Sequence, residues 1–398
     1  MVVDPTAERF RALESKTAQI MESFAKAGFE RIAPEIIQPA DLFLDVVGEA
    51  IRSRTYVFTD PDGQELCLRP DLTVPACRIY LERHPSCDAR SRYFYSGSTF
   101  RFQPGGATPD NPREYRQAGI EFFGDSDAAR AEAEVLALTQ KVLKATGLSG
   151  THIEMGDLGL FRALVSAIEM PERWRSKLIH DFWRRDSLTE RLRQLTTPLA
   201  DRETAIPEEL LASLDPARPV AAREGIRTWL EAQDVPLIGA RTLDEIVDGV
   251  LDAVSDLREP PLDPDAARLI EEYVSVKAPP RAVGARIDDL MNEQKIDLSD
   301  ALARYQRRLD RFEEAGVDMT GAMFSAEFGR NLEYYSGFVF QIVTSDDDGG
   351  GYIAGGGRYD GLMQAVGAPH TVPGIGVAIH TDRLLNAISG DSTVASGK

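Results

Sequence analysis

The chain has 398 residues, 43% of them hydrophobic and 27% charged, an ordinary balance for a soluble globular protein of one large domain or two smaller ones. Its net charge of -19 disfavours non-specific nucleic-acid binding, which depends on Lys and Arg side chains that neutralise phosphates. No apolar run approaches the roughly 20 residues that span a membrane, and the N-terminus lacks the apolar region of a secretory signal, so we expect a cytoplasmic protein without a membrane contact.

The first 160 residues carry hydrophobic patterns of both the helical and the strand period. The dipeptide Asp62-Gly63 predicts a hairpin turn, and Gly147 predicts the end of a helix. In chain order, the predicted elements are a helix over residues 5–27, strands over 31–36, 56–58 and 65–68, a helix over 73–82, strands over 92–102 and 117–123, and a helix over 128–146.

The middle of the chain differs in character, because its pattern is helical, highly charged and interrupted by Pro-Pro pairs. Strands are predicted again over 323–327, 337–344, 352–354 and 374–379, and a last helix begins at Thr381. We therefore divide the chain into a first core part (1–160), an inserted, mainly helical region (161–317) and a second core part (318–398). Hairpin-connected strands with helices around them predict an α+β fold with a mainly antiparallel sheet.

Asp71 and Thr73 stand between a predicted strand and a predicted helix. Asp and Thr are good N-cap residues, so one interpretation is that they only cap the helix. The other is that the carboxylate and the hydroxyl bind an ammonium group. The sequence leaves both interpretations open.

Arg101, Gln117 and Glu121 lie on two predicted neighbouring strands. Side chains repeat every two residues in a strand, so Gln117 and Glu121 share a face. A buried Glu needs a partner. It could form a structural Arg–Glu pair across the sheet, or it could belong to a site in which the Arg binds a carboxylate or a phosphate.

Two further segments between the C-terminal strands are dense in polar groups and glycine. Residues 329–337 contain Arg330, Tyr334 and Tyr335, which form either a hairpin with surface aromatics or a pocket for a small amphipathic ligand. Residues 355–362 read Gly-Gly-Gly-Arg-Tyr-Asp-Gly-Leu, a tight turn or a close backbone approach to a ligand. Their glycines do not match the dinucleotide-binding pattern, so no such cofactor is expected.

Metal binding is not expected either. Cys67, Cys77 and Cys87 are spaced too widely for a zinc knuckle or a redox pair, and the five histidines show no ligand spacing. We expect three reduced, buried thiols, no metal and no cofactor.

Taken in order, these stretches resemble the catalytic domain of histidyl-tRNA synthetases, which belong to class II of the aminoacyl-tRNA synthetases. The strand that begins at Phe100-Arg101 is similar to motif 2 of that class, and residues 374–384 are similar to motif 3. Residues 330–337 and 356–362 resemble the two signatures peculiar to the histidyl enzymes. The resemblance covers residues 1–160 and 318–398 and implies a class II synthetase-like sheet flanked by helices.

Site roles follow from this resemblance alone. It implies a histidine-binding pocket in which Arg101 contacts the carboxylate, Gln117 and Glu121 recognise the ammonium and the side chain, and the two tyrosines close over the imidazole. The histidine-binding residues so implied are Asp71, Thr73, Arg101, Gln117, Glu121, Arg330, Tyr334 and Tyr335. Gln103 and Arg383 match positions that bind ATP in the synthetases and are interpreted as a possible remnant of a nucleotide site.

Three departures from the synthetases concern tRNA and ATP. Gln103 replaces the glutamate that faces adenine, and the loop over 105–112 lacks the basic residues that meet the acceptor stem. Arg383 is followed by 15 residues, so we expect no anticodon-binding domain and no tRNA partner.

This combination resembles the regulatory subunits of short-form ATP phosphoribosyltransferases, which are synthetase-like paralogues. The resemblance implies a non-catalytic subunit of histidine biosynthesis that forms a homodimer within a hetero-octamer, pairs with a short catalytic subunit and confers feedback inhibition by L-histidine. A pocket selective for histidine can act as a sensor if its affinity differs between two states of the complex. The alternatives are a tRNA-independent histidyl-adenylate-forming enzyme and a divergent histidyl-tRNA synthetase.

Overall fold

A computed structural model describes residues 5–44, 49–108, 111–204, 206–215, 218–232, 243–329, 334–344 and 351–389. The chain forms two compact units, one made of Met1–Ala167 with Tyr273–Lys398 and the other of Ile168–Glu272. The second unit is therefore shorter than the helical region expected over 161–317. Residues 273–317 belong to the first unit because a short strand and two helices of this segment join its sheet and pack beside it.

The strands of the described residues belong to the first unit, where helices stand between groups of consecutive strands. The strands are β1 Glu30–Arg31, β2 Ile37–Pro39, β3 Tyr56–Thr59, β4 Glu65–Leu68, β5 Ser91–Phe100, β6 Glu114–Phe123, β7 Thr151–Asp157, β8 Lys277–Ala278, β9 Met323–Ser325, β10 Phe338–Thr344, β11 Ala354–Arg358 and β12 Gly374–His380. The helices of this unit are α1 Pro5–Lys26, α2 Asp41–Leu44, α3 Glu49–Arg52, α4 Thr73–Arg83, α5 Ala128–Ala145 and α6 Leu158–Ala167.

The remaining helices follow in chain order. Those that begin in the second unit are α7 Glu172–Asp181, α8 Arg185–Thr196, α9 Glu208–Ser213, α10 Pro219–Ala232, α11 Leu243–Asp256 and α12 Pro264–Val274, with a 3-10 turn at Leu199–Asp201. The first unit resumes with α13 Pro280–Gln294, α14 Ser299–Glu314, α15 Leu362–Ala365 and α16 Thr381–Ser389. Among the described residues, the length and hydrophobicity of the helices do not suffice for any of them to cross a membrane.

Nine of the described strands form one sheet in the order β1-β5-β6-β12-β11-β10-β7-β9-β8. All neighbours are antiparallel except the pairs β1–β5 and β7–β9. The strands β2, β4 and β3 form a separate antiparallel sheet. A mainly antiparallel sheet flanked by helices confirms the predicted α+β class.

The two faces of the large sheet have different coverings. Helices α1, α5 and α16 pack on one face, where Phe24 of α1 meets Phe94 of the sheet and Phe29, just after α1, meets Phe122. On the other face, Tyr93 and Tyr95 join the buried cluster that contains residues of α4. The second face carries the candidate site.

The second unit has a core of its own, in which Leu210, Ile226, Val247 and Val254 are buried. Asp256, at the end of α11, accepts hydrogen bonds from Arg173 Nε and Trp174 Nε1, both at 2.6 Å.

The three cysteines of the first unit are buried and free, as expected. The described residues contain no group of three or more His, Cys, Asp or Glu side chains placed to hold a metal ion.

A buried ion network joins the two sequence segments of the first unit. Glu132 of α5 is fully buried and accepts hydrogen bonds from Arg308 of α14 and Arg358 of β11. Arg308 also pairs with Asp157, and Arg358 donates to Asp360 at 2.9 Å. Burial alone would raise the pKa of Glu132, but the two guanidinium groups outweigh it and the pKa is lowered. The carboxylate is therefore charged inside the protein.

Glu132→Gln should lower the free energy of unfolding by about 3–5 kcal/mol, because it leaves two buried guanidinium groups short of negative charge. Glu134→Gln, two residues along the same helix, is the matched control. Its partner Arg92 is partly exposed, so the expected loss is about 0–1 kcal/mol. Urea denaturation followed by circular dichroism measures both, and equal losses would contradict a structural role for the network.

Candidate functional site

A cavity of about 170 Å³ lies on the second face of the large sheet. It is smaller than the roughly 300–1,000 Å³ typical of pockets for drug-sized ligands, so it suits a small metabolite. Six of the predicted histidine-binding residues line it, namely Asp71, Thr73, Arg101, Gln117, Tyr334 and Tyr335. Arg330 lies outside the described residues, and its role stays a prediction.

Small residues of the sheet underlie this cavity, and Gly355, Gly376 and Ala378 line it. Gly119, Ala378 and Gly355 are register partners on β6, β12 and β11, so they form a row of minimal side chains across the sheet. A Cβ atom at Gly119 would lie 2.7 Å from the ring of Tyr95, and one at Gly376 would overlap the carboxylate of Glu121. Larger residues at these positions would displace the side chains that build the site.

Asp71 combines the two roles that the sequence left open. Its Oδ1 accepts a hydrogen bond of 3.1 Å from the backbone N–H of Val74, in the first turn of α4. Its Oδ2 is buried and has no hydrogen-bond partner among the described residues. Burial raises the pKa of this carboxyl, while the Val74 amide and the charge of Arg101 oppose the shift. An unpartnered buried carboxylate oxygen costs free energy, which a donor on a ligand would recover.

Glu121 is fully buried, and hydroxyl groups are its partners. Thr73 Oγ1 and Tyr95 Oη donate to its Oε1 at 2.8 and 2.6 Å, and the Tyr359 hydroxyl donates to its Oε2. The alternative of an Arg–Glu pair across the sheet is therefore wrong. Burial raises the pKa of Glu121 to about 7 even though the three hydroxyls lower it. Glu121 lies one layer behind Thr73 and Tyr359, which form the cavity wall.

Arg101 is held at the rim of the cavity. Its Nε donates to the backbone oxygen of Pro70 at 3.1 Å, and its guanidinium carbon lies 5.4 Å from the ring centre of Tyr115. The Tyr115 hydroxyl donates to the same oxygen of Pro70 at 3.2 Å. Arg101 and the carboxyl group of Asp71 thus line one small cavity, the two kinds of group that bind the carboxylate and the ammonium of an α-amino acid.

Three tyrosines form an aromatic wall. The ring centres of Tyr334 and Tyr335 are 4.8 Å apart, and Tyr359 lies 5.7 Å from Tyr334 and 6.3 Å from Tyr335. All three side chains are buried. Such a wall packs against a flat, partly polar ring.

Gln103 and Arg383, the possible remnant of a nucleotide site, lie outside the lining of the described cavity. The Gln103 amide accepts a hydrogen bond from Arg54 and donates one to Pro112 O at 3.0 Å. The bond to Pro112 joins the two ends of the loop between Gln103 and Pro112. Arg383 donates to the backbone oxygen of Tyr352 at 3.2 Å and packs over its ring. Tyr352 lines the cavity, so Arg383 supports the wall from behind. Whether either residue contacts a nucleotide stays a prediction.

Some lining residues were missed by the sequence reasoning. Tyr359 stands inside the glycine-rich signature but was not selected, and its hydroxyl is a partner of Glu121. Gln341 interrupts the otherwise apolar centre of β10, a signal that could have been used. Tyr352 gave no signal, because its part in the wall depends on contacts with distant residues, such as His380 at 5.0 Å between ring centres.

Comparison with known proteins agrees with this fold. The family model described as histidyl-tRNA synthetase matches residues 2–233 and 241–384. A solved ATP phosphoribosyltransferase regulatory subunit/histidyl-tRNA synthetase from Bacillus halodurans has a TM-score of 0.65 at 20% identity, covering 97% of this chain and 82% of that one. A histidine–tRNA ligase subunit from Alicyclobacillus acidocaldarius has a TM-score of 0.59 at 19% identity, covering 98% and 96%. The fold is thus the histidyl-tRNA synthetase-like class II fold.

Similarity to curated proteins identifies the family of this chain more specifically than the fold does. ATP phosphoribosyltransferase regulatory subunits from Brucella canis and Brucella suis are each 32% identical over 364 residues, which is 91% of this chain and 94% of theirs. The chain belongs to the family of ATP phosphoribosyltransferase regulatory subunits.

Glu121→Gln should change how stability depends on pH. The raised pKa means that the folded protein keeps a proton which the unfolded chain, with a pKa near 4.5, has released. Wild-type stability should therefore fall as the pH rises from about 4.5 to about 7. Relative to wild type, the variant should gain about 2–3 kcal/mol between pH 5 and 8.

Urea denaturation at several pH values in this range measures the difference between the two proteins. A difference that stays constant with pH would contradict the raised pKa. The wild type serves as its own control at the low end of the range, where the carboxyl is protonated in the folded protein.

Proposed function

We propose that this chain is the regulatory subunit of an ATP phosphoribosyltransferase and that it senses L-histidine in the cavity beside Asp71. The observation that carries the proposal is the buried, unpartnered Oδ2 of Asp71, a residue that lines a cavity of about 170 Å³. Family membership supplies the regulatory role and the link to histidine biosynthesis. Protein and ligand meet in a cytoplasmic biosynthetic complex.

The cavity offers a partner for each part of an α-amino acid. Asp71 Oδ2, with the hydroxyl of Thr73 and the amide of Gln117, receives the ammonium group. Arg101 receives the carboxylate, since a guanidinium matches its geometry. Tyr334 and Tyr335 pack against the imidazole, while Glu121 fixes the hydroxyls behind the wall. Arg330 is proposed to complete the set.

The proposal includes no catalytic step and no tRNA. Both ends of the Gln103 amide are engaged by Arg54 and Pro112, which removes the polar group that would face adenine. The loop between Gln103 and Pro112 carries no Lys or Arg for an acceptor stem. The isolated chain should accordingly show no histidine-dependent pyrophosphate exchange, the reaction that a histidyl-adenylate-forming enzyme would catalyse.

Asp71→Asn should weaken L-histidine binding while keeping an oxygen that caps α4. Hydrogen bonds to charged groups contribute roughly 1.5–3 kcal/mol, so the Kd should rise roughly 10- to 150-fold in isothermal titration calorimetry. Asp62→Asn, in the exposed turn between β3 and β4, is the matched control and should bind as the wild type does. An unchanged Kd for Asp71→Asn would place the histidine site elsewhere.

Self-association is proposed to use an apolar face of the small sheet. Ile37 and Phe58 on the outer strands β2 and β3 are exposed, and Phe102 is exposed beside Tyr56. Ile37 follows shortly after Pro34, which matches the proline of the synthetase dimer motif. In the proposed homodimer, a second copy of the chain covers this face. Four copies of this chain and four catalytic subunits then form the proposed hetero-octamer.

Reconstitution with a short-form catalytic subunit tests the regulatory role. The wild-type chain should raise phosphoribosyl transfer and make it sensitive to L-histidine, with the mass of a hetero-octamer in light scattering. The Asp71→Asn complex should assemble and stay active, with its inhibition constant shifted by the factor seen in calorimetry. Equal histidine inhibition of both complexes, or no effect of the chain on the catalytic subunit, would contradict the proposal.

A further inference from the structure

The terminal nitrogens of Arg101, Nη1 and Nη2, are the part of this side chain that can serve a ligand. Its Nε donates to Pro70 O at 3.1 Å, and among the described residues none accepts a hydrogen bond from the other two nitrogens. A carboxylate takes two parallel hydrogen bonds from a guanidinium group only when the plane of that group is correctly oriented. The residues that hold this plane therefore decide how well a ligand carboxylate is bound.

Tyr115 packs against the guanidinium group and shares its anchor. The guanidinium carbon of Arg101 lies 5.4 Å from the centre of the Tyr115 ring, and the Tyr115 hydroxyl donates to Pro70 O at 3.2 Å. One carbonyl group thus holds both side chains next to each other. The orientation of the guanidinium group depends on the position of the Tyr115 ring.

The imidazole of His380 fixes the Tyr115 ring. The two rings are stacked, with their centres 5.3 Å apart and an angle of 22° between their planes. His380 is buried at the end of β12, where its backbone N–H donates to Ile353 O at 2.8 Å and its ring meets Tyr352 edge-on at 5.0 Å. Neither His380 nor Tyr115 belongs to the lining of the described cavity, so His380 can affect a ligand only through its neighbours.

We propose that His380 is a positioning residue, which through its stack on Tyr115 holds the guanidinium group of Arg101 in the plane that receives the ligand carboxylate. This inference rests on the proposed histidine binding. The effect of the stack is confined to the part of the ligand that Arg101 binds. Affinity for the carboxylate depends on His380, whereas affinity for the ammonium and the imidazole does not.

L-Histidinol separates these two contributions. It has the same ammonium group and imidazole as L-histidine, but a hydroxymethyl group replaces the carboxylate. The ratio of the two dissociation constants therefore reports how well the carboxylate is held. A general weakening of the fold changes both constants and leaves the ratio as it was.

His380→Ala tests the positioning role, because it removes the ring from the stack. In calorimetry, with the catalytic subunit present if binding requires it, the Kd for L-histidine should rise about three- to tenfold and the Kd for L-histidinol should change by less than about twofold. His380→Phe keeps a ring that can stack and should restore most of the histidine affinity. His84→Ala is the matched control, since it removes an imidazole that packs on Tyr80 at 5.1 Å outside the cavity lining, and it should bind both ligands as the wild type does.

Arg101→Met tests whether His380 acts through Arg101. The variant keeps an unbranched aliphatic chain but loses the nitrogens that receive the carboxylate, so its affinity for L-histidine should be lower than that of the wild type. In this background, His380→Ala should cause no further rise in the Kd. Additive losses would show that His380 acts by another route and would overturn its role.

The outcomes separate this inference from the proposed function. A wild-type chain that binds no histidine, alone or in the complex, contradicts the proposed function. A wild-type chain that binds histidine while His380→Ala weakens both ligands equally, or neither, overturns only the positioning role. Equal weakening is the result expected if His380 acts instead through Tyr352, which lines the cavity. A wild-type chain that binds histidinol as tightly as histidine also overturns it, because the carboxylate then adds no affinity.

Discussion

The carboxylate of Glu132 holds together two halves of a core that are far apart in sequence. It belongs to the part of the chain before the second unit, and its partners Arg308 and Arg358 follow that unit. Asp157 adds a second carboxylate from the first half. Strands β12, β11 and β10 of the second half lie between β6 and β7 of the first half, so the sheet forms only when the halves meet. A buried charge cluster of this kind tolerates little misplacement, because each ion depends on its partners.

The same network extends to the candidate site. Asp360, the partner of Arg358, accepts a hydrogen bond from Gly374 N at 3.0 Å and donates its own N–H to Ser336 Oγ at 3.0 Å. Ser336 follows the tyrosine pair directly, and Tyr359 stands between Arg358 and Asp360. The aromatic wall is thus fixed at both its segments by buried polar contacts. A preformed wall suits a sensor, because little binding energy is then spent on ordering the pocket.

Some polar groups at the candidate site bond only within the protein, and others line the cavity where a ligand is proposed to bind. Glu121 is committed to three hydroxyls, Gln103 to a loop, and Arg383 to the backbone of Tyr352. The side chains of Asp71 and Arg101 line the cavity itself. Asp71 and Arg101 at the cavity, with the Gln103 amide held by Arg54 and Pro112, are consistent with the proposed sensing role in a family of regulatory subunits.

Local patterns were sufficient for the fold class and drew attention to several residues that line the cavity, while their roles rest on the family resemblance. The helices at Thr73–Arg83 and Ala128–Ala145 follow their apolar spacing closely, and Asp71 and Thr73 stand where a strand gives way to a helix. The partners of Glu121 could not be predicted, because Tyr359 is 238 residues away and reaches it through the order of the sheet. The Glu132 network gave no signal for the same reason. The helical region expected over 161–317 extends beyond the compact unit Ile168–Glu272, because residues 273–317 are mainly helical in sequence while the pairing of Ala278 with Phe324 and the packing of α14 on α5 place them with the core.

The central claim is that histidine binds with its ammonium on Asp71. A crystal structure of the chain with bound L-histidine tests this most directly, in the presence of the catalytic subunit if binding requires it. The account predicts density for the amino acid between α4 and the aromatic wall, with its nitrogen within hydrogen-bond distance of Asp71 Oδ2. Histidine at a subunit interface, with this cavity empty at saturating concentration, would contradict it.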